Sequence, residues 1–309
     1  MTFTSRGLYA TSSKIPRRRR YGWLAFGAAV AVLAVLLGGV NALGAIPVAV
    51  EGRNDSFEGV HEIVIDNATV GEVTVTGTDD GAVTVQRELQ RAVTATPEES
   101  LAADGGTLRA EATCTGGWLF LGSSCAIDYE IRVPADADIA IDARTSTGDI
   151  TVTSVRGDIT AASSTGELRF EEVTAALDLE TSTGEVEASG SGESATVTSS
   201  TGSVDLADFT ADRFDVRTST GDIAIGGGFT EVELQTSTGE ATIETGETFD
   251  NITANTGTGD LEIEVPEGAY HVTGDSTSGD REVDVSTDAA AAASIDATTT
   301  TGEVTIEAD

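Results

Sequence analysis

The sequence predicts an all-β fold: a β-solenoid of stacked two-strand coils with a period of about 18–20 residues, preceded by one N-terminal transmembrane helix. Three observations predict it. A short Ser/Thr-Gly phrase, first seen as TSTGD at Thr145–Asp149, occurs nine times in residues 145–303. Two columns at fixed offsets from its glycine are apolar in every copy. An uncharged apolar stretch follows four consecutive arginines, Arg17 to Arg20.

Residues 1–20 read as a basic cytoplasmic tail and residues 21–46 as the anchor. Trp23 to Val40 carries no charge. At 1.5 Å per residue, the run from Tyr21 to Ile46 exceeds the roughly 30 Å of bilayer hydrocarbon. Tyr21 and Trp23 stand where an interfacial aromatic belt belongs, and Arg17 to Arg20 should stay on the cytoplasmic side. The chain is then a single-pass protein of the cell membrane with its C-terminal part outside. The alternative is a secretory signal cleaved after Ala42 or Gly44, which leaves a secreted protein. Both readings put residues 47–309 outside the cytoplasm.

Residues 47–58 read as a linker. Residues 59–134 form a less regular, membrane-proximal β region. VHEIVIDNATVGEVTVTGTDDGAVTVQREL reads as three strands, with Asp80-Gly81 as a hairpin turn. TPEESLAADGG reads as a polar loop. TLRAEATC and CAIDYEIRVP read as two further strands. Cys114 and Cys125 enclose TGGWLFLGSS. Outside the cytoplasm they read as a disulfide closing a hairpin, with two free thiols as the alternative. The apolar centre of that loop, Trp118 to Leu121, is expected either to cap the first coil near Ile139 and Ile141 or to form a contact tip.

Residues 135–309 hold the repeat. Its glycines are Gly148, Gly166, Gly184, Gly202, Gly221, Gly239, Gly259, Gly279 and Gly302, spaced 18, 18, 18, 19, 18, 20, 20 and 23 residues apart. Four residues after each comes Val152, Phe170, Ala188, Leu206, Ile225, Ile243, Ile263, Val283 or Ile306. Seven residues before comes Ile141, Ile159, Leu177, Ala195, Phe214, Val232, Ile252, Val272 or Ile295. A third column, two residues after glycine, is apolar except at Arg281, where a register slip or bulge is expected. The alternation in G-D-I-T-V sends Ile and Val to one face and Asp and Thr to the other. One such coil cannot bury its apolar face alone, but a stack can, each strand pairing with its equivalent in the next coil. The glycine is expected to supply a turn with φ > 0. The three Ser/Thr before it are expected to bond neighbouring backbone or the same residue one coil away.

VIDNATVGEVTV from Val64, then YEIRVPADADIAIDARTSTGDITV, then the G-[DE]-hydrophobic repeats together resemble the family labelled "putative adhesin". The likeness covers residues 60–309. It implies a cell-envelope protein of β-strand repeats, a domain of unknown function, and supplies no catalytic residue to carry over.

Charge narrows the function classes. The chain has 52 acids against 17 Lys and Arg. From Glu51 onward eleven Arg face all 52 acids, a net charge of −41. Such a surface repels nucleic acid and anionic lipid. His61 and His271 belong to no metal or nucleophile motif, and no phosphate-binding or hydrolase motif occurs. No catalytic, cofactor-binding or metal site is therefore assigned, and no enzyme activity is expected. The residues after the repeat glycines are Asp149, Glu167, Glu185, Ser203, Asp222, Glu240, Asp260, Asp280 and Glu303. They read as solvated carboxylates that keep the rod soluble, with a Ca²⁺-binding ladder as the sharper alternative. Two function classes remain. One is a membrane-anchored structural, adhesion or sensing module whose partners are envelope proteins. The other is a solenoid that binds or modifies cell-wall polysaccharide, with Ca²⁺ as a further requirement. Carbohydrate sites favour aromatics, and the repeat region has no tryptophan.

Overall fold

The computed structural model describes residues 30–31, 49–91, 95–116 and 125–308. Val30 and Ala31 are helical. The rest of the expected anchor lies outside the described residues, as does the loop around Trp118. Among the described residues no helix is long and apolar enough to cross a membrane.

The described residues from Ala49 onward form β-strands and the turns between them. Two parallel ladders face each other, and each layer of the stack contributes one strand to each. From residue 140 to residue 265 the layers stack in chain order. In the first ladder Ile141, Ile159, Leu177, Ala195, Phe214, Val232 and Ile252 are register partners in succession. In the second, Val152 pairs with Phe170, Phe170 with Ala188, and Leu206 with Ile225, then Ile243, then Ile263. All of these side chains are buried, none more than 2% exposed. The two columns read from sequence therefore line the core. Two strands, Val186–Thr201 and Val204–Thr220, run unbroken through the corner opposite the glycine and join the two ladders.

Outside that stretch the stack departs from chain order at both ends. The first strands are β1 (Ala49–Phe57), β2 (Glu62–Asn67), β3 (Val73–Thr78), β4 (Val83–Arg91), β5 (Ala95–Asp104), β6 (Thr107–Gly116) and β7 (Cys125–Pro134). The layer β2/β3 lies directly against the 140–153 layer. The later pair β6/β7 lies on its other side. Antiparallel strands then close this end, β4 on β7, β1 on β4, and β5 on β6. At the far end the 294–308 layer sits between the 251–265 layer and the 269–284 layer.

Five expectations are corrected. The segment 47–58 is not a linker, because Ala49–Phe57 is a strand on β4. Asp80-Gly81 does not turn a hairpin, because β7 lies between β3 and β4. The TPEESLAADGG stretch is mostly strand β5, turned onto β6 by Gly105 and Gly106 at φ +61° and +88°. Pro97 is tolerated there because β5 is an edge strand of the ladder. The disulfide Cys114–Cys125, Cα atoms 6.1 Å apart, joins β6 and β7, which are the two strands of one layer and do not pair with each other. Arg281 causes no slip, since 281–284 stays in register with 304–307. The register shifts in fact fall between Phe170 and Val173 and between Glu187 and Ser189, at the second corner.

That second corner also holds an aromatic stack. Phe209, Phe214, Phe229, Phe249 and Tyr270 follow one another with ring centroids 5.4–6.3 Å apart. Contacts of this kind add about 0.5–1.5 kcal/mol each beyond the area they bury.

Candidate functional surface

The repeated phrase builds one corner of the stack, and its glycine is required by close approach. A Cβ on Gly202 would lie 1.9 Å from the carbonyl oxygen of Gly184. The same clash, at 1.9–2.2 Å, recurs along the column from Gly148 to Gly302 and Gly279, and Gly71 stands in the column one layer earlier. Positive φ, the expected reason, holds at Gly202 (+141°) but not at Gly148, Gly166 or Gly279. Layer-to-layer contact is thus the common cause.

The first hydroxyl points inward and is buried in eight of the nine phrases, Ser276 in the outermost layer being half-buried. Thr145, Ser163, Thr181, Ser199, Thr218, Thr236, Thr256 and Thr299 are all buried. Thr145 Oγ1 donates to Gly148 O at 2.8 Å and lies 3.0 Å from Ser163 Oγ. Thr299 Oγ1 donates to Gly259 O at 3.1 Å. Between them Thr181, Ser199, Thr218, Thr236 and Thr256 have no partner. Equivalent atoms repeat at the strand spacing of about 4.8 Å, too far for an O–H···O bond of about 2.5–3.0 Å. Direct bonding from coil to coil is therefore the exception. Asn67 takes the hydroxyl's place in the β2/β3 layer. Its longer amide reaches Gly71 O at 3.1 Å and Ile127 O at 2.9 Å, joining this layer to the outer one.

The acids after the glycines form the expected ladder, and three of its eight acids have a structural task that the sequence reading missed. Asp149 Oδ1 accepts the amide of Glu167 at 2.8 Å, Asp222 that of Glu240 at 2.9 Å, and Asp260 that of Glu303 at 2.8 Å. Asp128 does the same for Glu72 at 3.0 Å. An aspartate thus caps the backbone of the next layer, in a charge-assisted bond that offsets like-charge repulsion. Asp280, the remaining Asp, lies in the outermost layer. The sequence signal was present: at these four caps an Asp in one layer precedes a Glu in the next. Glu185, Ser203, Asp222 and Glu240 line an open depression of about 330 Å³. Among the described residues no group of three or more His, Cys, Asp or Glu is arranged to hold a metal ion. His61 and His271 lie at opposite ends of the stack, both exposed.

Arginines on the outer faces pair with neighbouring acids. Arg169 reaches Glu167 and Glu187, and Arg217 reaches Asp215 and Glu233. These side chains are about one-quarter to one-half exposed, so each pair contributes about 0–1 kcal/mol. One pair is different. Arg87 on β4 and Glu99 on β5 are 6% and 3% exposed and ion-paired across the closed end, and Arg87 also meets Asp55 on β1. Beneath them Tyr129 is 1% exposed. Burial, and then the nearby Glu99 charge, push its phenol well above the usual tyrosine range.

A parallel two-strand β-solenoid, cornered by a glycine column and edged by carboxylates, is the class these features define. A model of the Toastrack DUF4097 family matches residues 60–308, and the chain belongs to that family. A solved structure described as a putative adhesin from Parabacteroides merdae ATCC 43184 is 12% identical, covers 84% of this chain and 96% of that one, and has a TM-score of 0.49. One from Bacteroides fragilis NCTC 9343, also described as a putative adhesin, is 14% identical over 84% and 97%, with a TM-score of 0.44. A third, from Parabacteroides distasonis ATCC 8503, is described as a putative lipid binding protein. It is 16% identical over 84% and 96%, with a TM-score of 0.35. Comparison with curated proteins gives no match.

Proposed function

We propose that the chain is a membrane-anchored, extracytoplasmic rod that serves the cell envelope as a structural or adhesion module and performs no catalysis. Residues 21–46 hold it in the membrane, and the basic run Arg17 to Arg20 fixes its orientation. The observation that supports this most is repetition on the surface. The same short residues recur layer after layer at the glycine corner, so the flank offers many equal contact points. A catalytic site needs a unique convergence of groups. Weak contacts repeated along a stiff support add through effective concentration.

Fractionation and protease protection test the placement. The full chain should sediment with membranes, and protease added to intact cells should reach the rod. A soluble cytoplasmic chain, protected from that protease, would end the proposal. Co-sedimentation with purified wall polysaccharide tests the other class. Saturable binding that requires Ca²⁺ would favour a glycan-binding solenoid over a structural module.

A further inference from the structure

The far end of the stack is out of chain order, and one column shows why. Two residues after the corner glycine the core holds Ile150, Leu168, Val186, Val204, Ile223, Ala241, Leu261 and Val304, each no more than 2% exposed. The ninth member is Arg281, which is exposed. Stacked in chain order, the 269–284 coil would lie between the 251–265 and 294–308 coils. Arg281 would then sit between Leu261 and Val304, a guanidinium with apolar neighbours on both sides and no acid in the column. In the observed order Leu261 pairs with Val304, and Val304 with Arg281. The charge is outermost and the valine is enclosed. The rest of the two coils agrees. Ile295, Ala297, Val304 and Ile306 are 0% exposed, whereas Val272 and Val283 are only half-buried and Glu282 and Asp284 are exposed.

The contacts of the glycine corner are indifferent to the order. Gly302 closes on Gly259 and Gly279 closes on Gly302 through the same carbonyl approach, 2.1 and 1.9 Å from a built Cβ. Thr299 is the register partner of both Thr256 and Ser276. The backbone can make either arrangement. In the observed one the chain climbs two layers, about 10 Å, between Val265 and Ala269, within the reach of four extended residues.

We infer that Arg281 is the residue that decides between the two orders, reserving the 269–284 coil for the outside and drawing the 294–308 coil beneath it. The fold holds two nearly equivalent stackings of its last two coils, and a single side chain selects one. The selected order also gives the exposed edge a layer bearing Arg281, Glu282 and Asp284, charges that discourage pairing with another strand.

A swap of the two column residues tests the inference. Val304→Arg alone places the charge in the enclosed layer and should lower the melting temperature sharply. Adding Arg281→Val should restore most of the loss, because the coils can exchange places. Cysteine pairs report the order directly. Thr256→Cys with Thr299→Cys should crosslink in the natural background, where the two positions are register partners. Thr256→Cys with Ser276→Cys should not, being two layers apart and beyond disulfide reach. In the R281V/V304R background the two results should reverse. If the double variant melts as low as V304R, or keeps the 256–299 crosslink, Arg281 does not set the order and the inference fails.

Discussion

The middle of the stack and its closed end solve one problem with different chemistry. Both must bury apolar faces between two ladders. In the 140–265 layers each strand meets a copy of itself, so each position is solved once and repeated: glycine at the corner, hydroxyl beneath it, aliphatic residues within. At the closed end no copy is available. Strands β1, β4 and β5 run antiparallel and cover the core with an ion pair. Repetition gives a core built of nearest-neighbour contacts. A terminus needs residues found nowhere else in the chain.

The largest expected effect lies in the middle. Phe214 is 0% exposed, with an aromatic ring on either side. Phe214→Asp leaves an unpaired charge there and should cost more than about 4 kcal/mol in urea unfolding. A wild-type midpoint would show that this column does not face a core.

Glycine sharpens the contrast. Gly202→Ala drives a Cβ into the preceding layer's carbonyl at a left-handed φ, whereas a Cβ on Gly81 at the closed end meets nothing within 4 Å. We expect Gly202→Ala to cost about 3 kcal/mol and Gly81→Ala less than about 0.5 kcal/mol. Equal losses in thermal melts would remove close approach as the reason for the glycine column.

At the closed end, Glu99→Ala strands most of a buried guanidinium. It should cost about 2–3 kcal/mol, below the usual range for a broken buried pair because Asp55 remains. The double change Arg87→Met with Glu99→Leu should be near neutral, since an apolar pair needs no desolvation of charge. If the double is as damaging as the single, the pair does more than close the end.

The smallest effect is alkaline. Tyr129 and Tyr270 both have phenols raised by burial. A raised folded value means that the unfolded chain ionises first. Stability is therefore full below the unfolded value of about 10 and falls as pH rises above it. Tyr129→Phe should flatten that decline, measured by urea midpoints from neutral pH to about pH 11. An unchanged slope would show that Tyr129 does not contribute to it.

What the sequence determined by itself is the repeating part. Its period, inward columns, corner and acid edge follow from local alternation, because each layer's partner is the next copy of the same pattern. The aromatic stack left a signal that the sequence reading missed: Phe209, Phe229, Phe249 and Tyr270 recur at 20, 20 and 21 residues. Only the tertiary structure decided the ends. No local pattern places β7 between β3 and β4 or brings Glu99 to Arg87. Arg281 was visible as the misfit of its column, but its meaning was not. A charge in an apolar column reads as a local defect until the order of layers is known. It then marks the layer that faces water, because burying an unpaired guanidinium costs more than threading the chain past one coil to reach the outside.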